Sequence, residues 1–184
     1  MIFSRVWAMP NAETFTIKPI AHLLRRELLG AWPHTAAIWV DPFVRNSNVK
    51  HLMTWTNDIN SEFDADYNME ALEFLRLIDD ESVDGVLFDP PYSVRQIKEC
   101  YDGIGREITQ YDTQNPWTAY KAEIARIVKP NGKVIRFGWS SGGIGKTLGF
   151  DLVEVMLVPH GGVRNDTIVT VEHKRSDIQG VLNL

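Results

Sequence analysis

The sequence predicts an α/β protein, with a mainly parallel sheet covered by helices and closed by a C-terminal antiparallel hairpin. Three observations carry this. β-rich runs alternate with segments of helical period through the middle of the chain. Two of those runs stop abruptly at Asp-Pro steps, Asp41-Pro42 and Asp89-Pro90. The last two are joined across Gly161-Gly162, a hairpin signal.

Taken in order, Ile20 to Leu29 reads as a helix, with Pro19 near its start and Gly30 just past its end. Ala36 to Val40 is a short apolar strand, and His51 to Trp55 a second candidate strand. Asn68 to Leu77 places Ala71, Leu72, Phe74 and Leu75 on one helical face. Val83 to Phe88 is a buried-strand run. Ser93 to Trp117 reads as a long irregular stretch, either a basic and aromatic surface for strand contact or a solvated loop with a short helix. Ala119 to Val128 is helical in pattern and is followed by the turn Lys129-Pro130-Asn131-Gly132. Lys133 to Trp139, Leu152 to Val158 and Thr167 to Glu172 complete the strands.

Composition narrows the class. At 184 residues the chain is expected to form one domain, 1–184, with no separate recognition domain. Its 44% hydrophobic and 23% charged residues match a folded globular protein and exclude intrinsic disorder. No apolar run approaches the roughly 20 residues of a membrane span, so no membrane partner is expected. Met1 to Pro10 lacks the apolar stretch of a signal peptide. The single cysteine, Cys100, excludes an internal disulfide and a cysteine-based zinc cluster, and fits a reducing cytoplasm. The five histidines show no pair at metal-ligand spacing, so no metal is expected. A net charge of −5 means that any nucleic-acid contact must use a local basic surface.

In a parallel sheet, ligands gather at the carboxyl ends of the strands. The sharpest feature there is Asp89-Pro90-Pro91-Tyr92. Two prolines stop the strand and remove two backbone donors. A rigid edge of carbonyl oxygens, a carboxylate and an aromatic face remain. That set suits a planar group carrying an exocyclic amine: the carboxylate and a proline carbonyl accept its two N–H bonds, and the tyrosine ring stacks on its plane.

A strand ending in Asp-Pro-Pro-Tyr resembles the catalytic motif of S-adenosylmethionine-dependent amino-methyltransferases, whose Asp form is typical of DNA adenine-N6 enzymes. Thr16-Ile17-Lys18-Pro19 before a helix, and Val40-Asp41-Pro42-Phe43 after it, look like the family's paired cofactor motifs. The resemblance extends from about Thr14 to His173 and is nearest to small adenine-methyltransferase-like proteins of bacteriophage and prophage genomes, which would place the protein in a bacterial host cytoplasm. It implies a Rossmann-like class I methyltransferase fold of about seven strands with helices on both faces. It implies S-adenosyl-L-methionine as cofactor and DNA, or alternatively RNA or a nucleotide, as substrate. Asp89, Pro90, Pro91 and Tyr92 would be catalytic. Thr16, Lys18, Asp41 and Phe43 would meet the cofactor, and Glu70 falls where the family has an acid facing the cofactor's adenine. A non-catalytic scaffold of the same fold is the remaining alternative. Its support is one departure: Arg45 and Ser47 stand where the family has glycines. Arg45 would either pair with the cofactor carboxylate or lie solvated on the surface.

Other strand ends add candidates. Asp58 follows the second strand and is placed to take ribose hydroxyls, unless Asn57-Asp58 is only a turn. Arg95 and Lys98 after the catalytic corner, and Arg164 and Asn165 in the hairpin loop, are candidate nucleic-acid contacts. Ser140 to Thr147 nearly matches a phosphate-binding loop, but a β-run follows too soon for the helix such a loop must open.

Overall fold

Seven strands lie side by side in one sheet, in the order β1-β6-β7-β5-β4-β2-β3. They are β1 (Ile2–Arg5), β2 (Trp39–Asp41), β3 (Trp55–Thr56), β4 (Val83–Phe88), β5 (Val128–Gly138), β6 (Phe150–Val158) and β7 (Thr167–Lys174). The helices are α1 (Lys18–Leu29), α2 (Ala71–Leu77), α3 (Val94–Asp102) and α4 (Thr118–Ile127). The computed structural model describes residues 1–11, 13–30, 37–107, 117–162 and 165–176. All neighbouring strands pair parallel except β7, which is antiparallel to both β5 and β6. The predicted mixed α/β architecture, with its C-terminal hairpin, is what the chain adopts.

Strand alternation sends side chains to two cores. On one face α1 buries Ile20, Leu23, Leu24 and Leu28 against Trp39, Leu87, Ile135 and Phe137. On the other, α2 and α4 bury Phe74, Leu75, Ile124 and Ile127 against Val40, Val86, Phe88 and Val134. Trp39 lies across Gly85 of the neighbouring strand, where a Cβ would stand 2.5 Å from its ring. Asp84 accepts the Ile38 N–H at 2.8 Å and the Lys129 ammonium at 2.9 Å, tying the entry of β2 to both β4 and β5.

Several elements differ from the sequence reading. His51 to Trp55 is not a strand: Lys50–Leu52 forms a 3₁₀ turn, and β3 is only Trp55–Thr56. The helix expected from Asn68 begins at Ala71, because Asn68 and Met69 are held by Asp58 and Asn57 at the end of β3. The irregular stretch after Tyr92 contains α3. Ser93 caps it by accepting the Gln96 N–H, and Arg95–Glu99 and Lys98–Asp102 pairs run along it. The Lys129–Gly132 turn is a bulge within a longer β5, opposite the step from Val83 to Gly85. β1, on the sheet edge, was not expected at all.

Candidate active site at the strand-order reversal

The chain order reverses between β2 and β4, the place where a parallel sheet opens a ligand crevice. Three aspartates meet there. Asp41 ends β2 and is fully buried; its Oδ1 accepts the Phe43 N–H at 2.9 Å, and its Oδ2 has no hydrogen-bond partner among the described residues. Burial pushes its pKa up to about 8; the Phe43 N–H opposes this, and the charges of Asp89 and Asp58 reinforce it. Asp89 directly follows β4 and accepts a hydrogen bond from the Tyr92 hydroxyl. Burial raises its pKa to about 7, against the pull of the Arg45 and Arg136 guanidiniums. Asp58, two residues beyond β3, accepts the Asn60 N–H at 2.9 Å and the Arg45 N–H at 3.0 Å. Burial raises its pKa as well, and those two N–H groups oppose the shift.

The loop after β2 has the tight backbone of a glycine turn without the glycine. Arg45 sits at φ +44°, in the left-handed region. Val44 N–H donates to the Asn57 carbonyl and Ser47 N–H to the Val44 carbonyl, each at 2.9 Å, while the Ser47 hydroxyl accepts the Val49 N–H. The Arg45 guanidinium lies over the Phe63 ring and is felt electrostatically by both Asp58 and Asp89. Phe43 packs in an aromatic cluster with Phe88, Trp117 and Tyr120.

Other candidates stand apart. Thr16 bonds to Asn11 and to the Glu13 carbonyl at the foot of α1. Lys18 is exposed and lines a separate cleft of about 490 Å³ with Val6, His22, Arg26 and Met156. No hydrogen bond joins Thr16 or Lys18 to the three aspartates among the described residues. Glu70 accepts the hydroxyls of Tyr101 and Tyr120, each at 2.7 Å, and stands 3.6 Å from Arg106. Arg95 and Lys98 are exposed on α3, each within 2.7 Å of its acidic partner, Glu99 or Asp102. Asn165 is exposed in the hairpin loop on the face where the parallel strands end. Arg164, with Tyr111 and Gln114 of the stretch after Tyr92, lies outside the described residues.

Beside Asp89 a cleft of about 190 Å³ is walled by Pro90, Tyr92, Trp117, Trp139 and Ser140. Arg136 also lines it and is missing from the sequence-derived candidates. Its signal was legible: a charge in the middle of the strand run Lys133 to Trp139, at a position that alternation sends into the core. In the glycine-rich loop at 142–145 the Ile144 and Gly145 N–H groups, which a phosphate would need, donate to the Glu172 carboxylate. Only a three-residue 3₁₀ turn, Lys146–Leu148, follows.

No protein-family model and no curated protein sequence matches the chain. Solved structures do. TrmN from Thermus thermophilus is 18% identical with a TM-score of 0.55, over 86% of this chain and 49% of that one, so the chain spans about half of TrmN. The methyltransferase candidate yhhF from Escherichia coli is 10% identical with a TM-score of 0.53, over 93% and 92% of the two chains. The Burkholderia thailandensis 1,6-didemethyltoxoflavin-N1-methyltransferase, solved with 1,6-didemethyltoxoflavin and S-adenosylhomocysteine, is 12% identical with a TM-score of 0.51, over 92% and 93%. The fold is thus the Rossmann-like α/β fold of methyltransferases. Identities this low define the architecture, and the chemistry must be argued from the side chains.

Proposed function

We propose that the protein is an S-adenosylmethionine-dependent methyltransferase that modifies the N6 amine of adenine in DNA. The observation that carries this is Asp89-Pro90-Pro91-Tyr92 at the carboxyl end of β4, beside the strand-order reversal and opening onto an aromatic cleft. S-adenosylmethionine, when bound, supplies an activated methyl group. The residues present fit it: Asp41 keeps a buried carboxylate oxygen that lacks a donor among the described residues, and the cofactor's amino group is one. Asp58 stands at the next strand end with lone pairs left for hydroxyl groups. Asp89 and the Pro90 carbonyl accept the two amine hydrogens, leaving the nitrogen lone pair less delocalised into the base. Tyr92 holds the Asp89 carboxylate and offers its ring to the base plane. A base inside a duplex is out of reach, so the target is flipped or single-stranded.

A second reading, the same chemistry on RNA or a nucleotide, has one observation in its favour. The two basic residues that follow the corner in sequence, Arg95 and Lys98, are already paired with acids and offer little free charge to a long phosphate backbone.

Mass spectrometry of nucleosides from the DNA and RNA of expressing cells tests both readings. N6-methyladenine in DNA is expected with the wild type and not with Asp89→Asn, whose rate should fall on the order of a hundredfold or more. Calorimetry should show S-adenosylmethionine binding to that variant within a few-fold of wild type. The rate should climb as pH rises through about 7, because Asp89 accepts its amine hydrogen best when ionised. Undiminished methylation by the variant would refute the assignment of Asp89.

A further inference from the structure

Arg136 is a buried arginine without an ionic partner. It is 9% exposed, and no carboxylate lies within ion-pair distance of it among the described residues. Its Nη1 donates to the Ser140 carbonyl at 3.0 Å, while its Nε is buried without a partner among the described residues. Glu172, which acts on it electrostatically as Asp89 does, is occupied by the Ile144 and Gly145 N–H groups. A buried guanidinium with unmet donors is costly unless something completes it.

The backbone is built to aim this group. In the parallel register Arg136 lies beside Phe88, one residue before Asp89. Gly138, two residues on and on the same face, leaves the space into which the guanidinium leans; a Cβ there would stand 3.1 Å from both terminal nitrogens. The side chain therefore runs along β5 toward the strand end and reaches the cleft between Trp117, Trp139 and Tyr92. At about 190 Å³ that cleft is smaller than the roughly 300–1,000 Å³ of sites for drug-sized ligands, and its walls are flat and aromatic. It suits one planar ring system rather than a hydrated phosphate.

An acceptor and a donor thus stand at adjacent strand ends: Asp89, whose neighbour Pro90 walls the cleft, and Arg136, which lines it and acts electrostatically on Asp89. Their complement is an amine next to an unprotonated ring nitrogen, the amidine edge of an amino-nucleobase. We propose that Arg136 is the specificity-determining residue of this site, donating to the ring nitrogen adjacent to the amine, which in adenine is N1. This rests on the proposed function for the identity of the base, but not for the geometry of recognition.

Binding, read without turnover, tests it. Trp117 and Trp139 line the cleft, so titration of the full chain with nucleosides is followed by tryptophan fluorescence. The wild type should bind adenosine about tenfold or more tightly than 1-deazaadenosine, which lacks only N1, and should bind 7-deazaadenosine like adenosine. Arg136→Met should bind adenosine and 1-deazaadenosine equally. Gly138→Ala, which keeps the arginine but crowds it, should narrow the preference and covers the case in which Arg136→Met fails to fold. Equal wild-type binding of adenosine and 1-deazaadenosine, or a preference that survives both variants, overturns the proposal. So does displacement of adenosine by inorganic phosphate, which would make Arg136 an anion site. An Arg136-dependent preference for N1 in a protein that methylates no adenine in cells would uphold this inference while refuting the function on which its choice of base rests.

Discussion

Arg45 condenses what single residues decide here. Its backbone is left-handed, a conformation that costs an L-residue roughly 1 kcal/mol or more and glycine nothing. In return its charge reaches Asp89 and holds that carboxyl below where burial alone would put it. Arg45→Gly should therefore separate the two effects. Thermal unfolding should show a gain of about 1 kcal/mol, and the acidic limb of the methylation profile should move to higher pH as Asp89 loses a cation. An unmoved profile would show that the guanidinium takes no part in the site, and a less stable variant that the side chain's contacts outweigh the cost of the left-handed backbone. At this scale the sequence was informative wherever a residue broke a local rule. Asp89, Asp41 and Asp58 were legible because each stands at a strand end. Arg45 was legible as a missing glycine. Arg136 was equally conspicuous as a charge in an apolar strand, but its unmet donors depend on Gly138 and on the commitment of Glu172 to a distant loop. Neither is visible along the chain.

Elements were legible in proportion to how much of them is buried. Val83 to Phe88, buried along its whole length, is the strand the sequence predicts, residue for residue. β3, two residues long, and β1, four residues on the sheet edge, are set by pairing with β2 and β6, which no local pattern encodes. α3 is the short helix of the alternative reading of the stretch after Tyr92; its pattern is faint because it buries only Ile97 and rests on its Ser93 cap and two charge pairs. The spacing of β2 and β4 is tightest at one contact, Trp39 over Gly85, in register across the sheet and beside the Asp84 bond to the Ile38 N–H. Gly85→Ala would put a methyl 2.5 Å from the indole, and neither strand can yield without moving Asp41 or Asp89 at its end. The expected loss is about 1–3 kcal/mol in urea unfolding, with weakened cofactor binding although residue 85 touches no ligand. The smaller pair Gly85→Ala with Trp39→Phe should recover part of both. Unchanged stability in the single variant would mean that the two strands are not held at this spacing.

For the whole molecule, placing three carboxylates around one crevice has a thermodynamic consequence. A carboxyl whose pKa is higher in the folded state keeps its proton there after the unfolded chain has lost it. Stability then falls as pH rises from the unfolded pKa to the folded one, and levels off above it. For Asp41 that window runs from about pH 4 to about pH 8. Asp89 adds a decline of the same sign, ending near pH 7. Glu27 works the other way: its pKa is lowered, burial being outweighed by Lys133 and Arg26, so its contribution is present above the ordinary carboxylate range and lost on acidification. Asp41→Asn isolates the first effect, since Asn keeps an oxygen for the Phe43 N–H but has no proton to lose. The terms of Asp89 and Glu27 are common to both proteins and largely cancel in the comparison. Urea unfolding between about pH 5 and pH 8 should show the variant gaining on wild type by about 1.4 kcal/mol per pH unit, with the advantage constant above about pH 8. The same substitution replaces a buried carboxylate oxygen that lacks a donor among the described residues, so S-adenosylmethionine should bind it more weakly at every pH. A stability difference that stays flat across the window would mean that Asp41 is ionised in the folded protein. The crevice would then already hold a compensating positive charge before any cofactor enters.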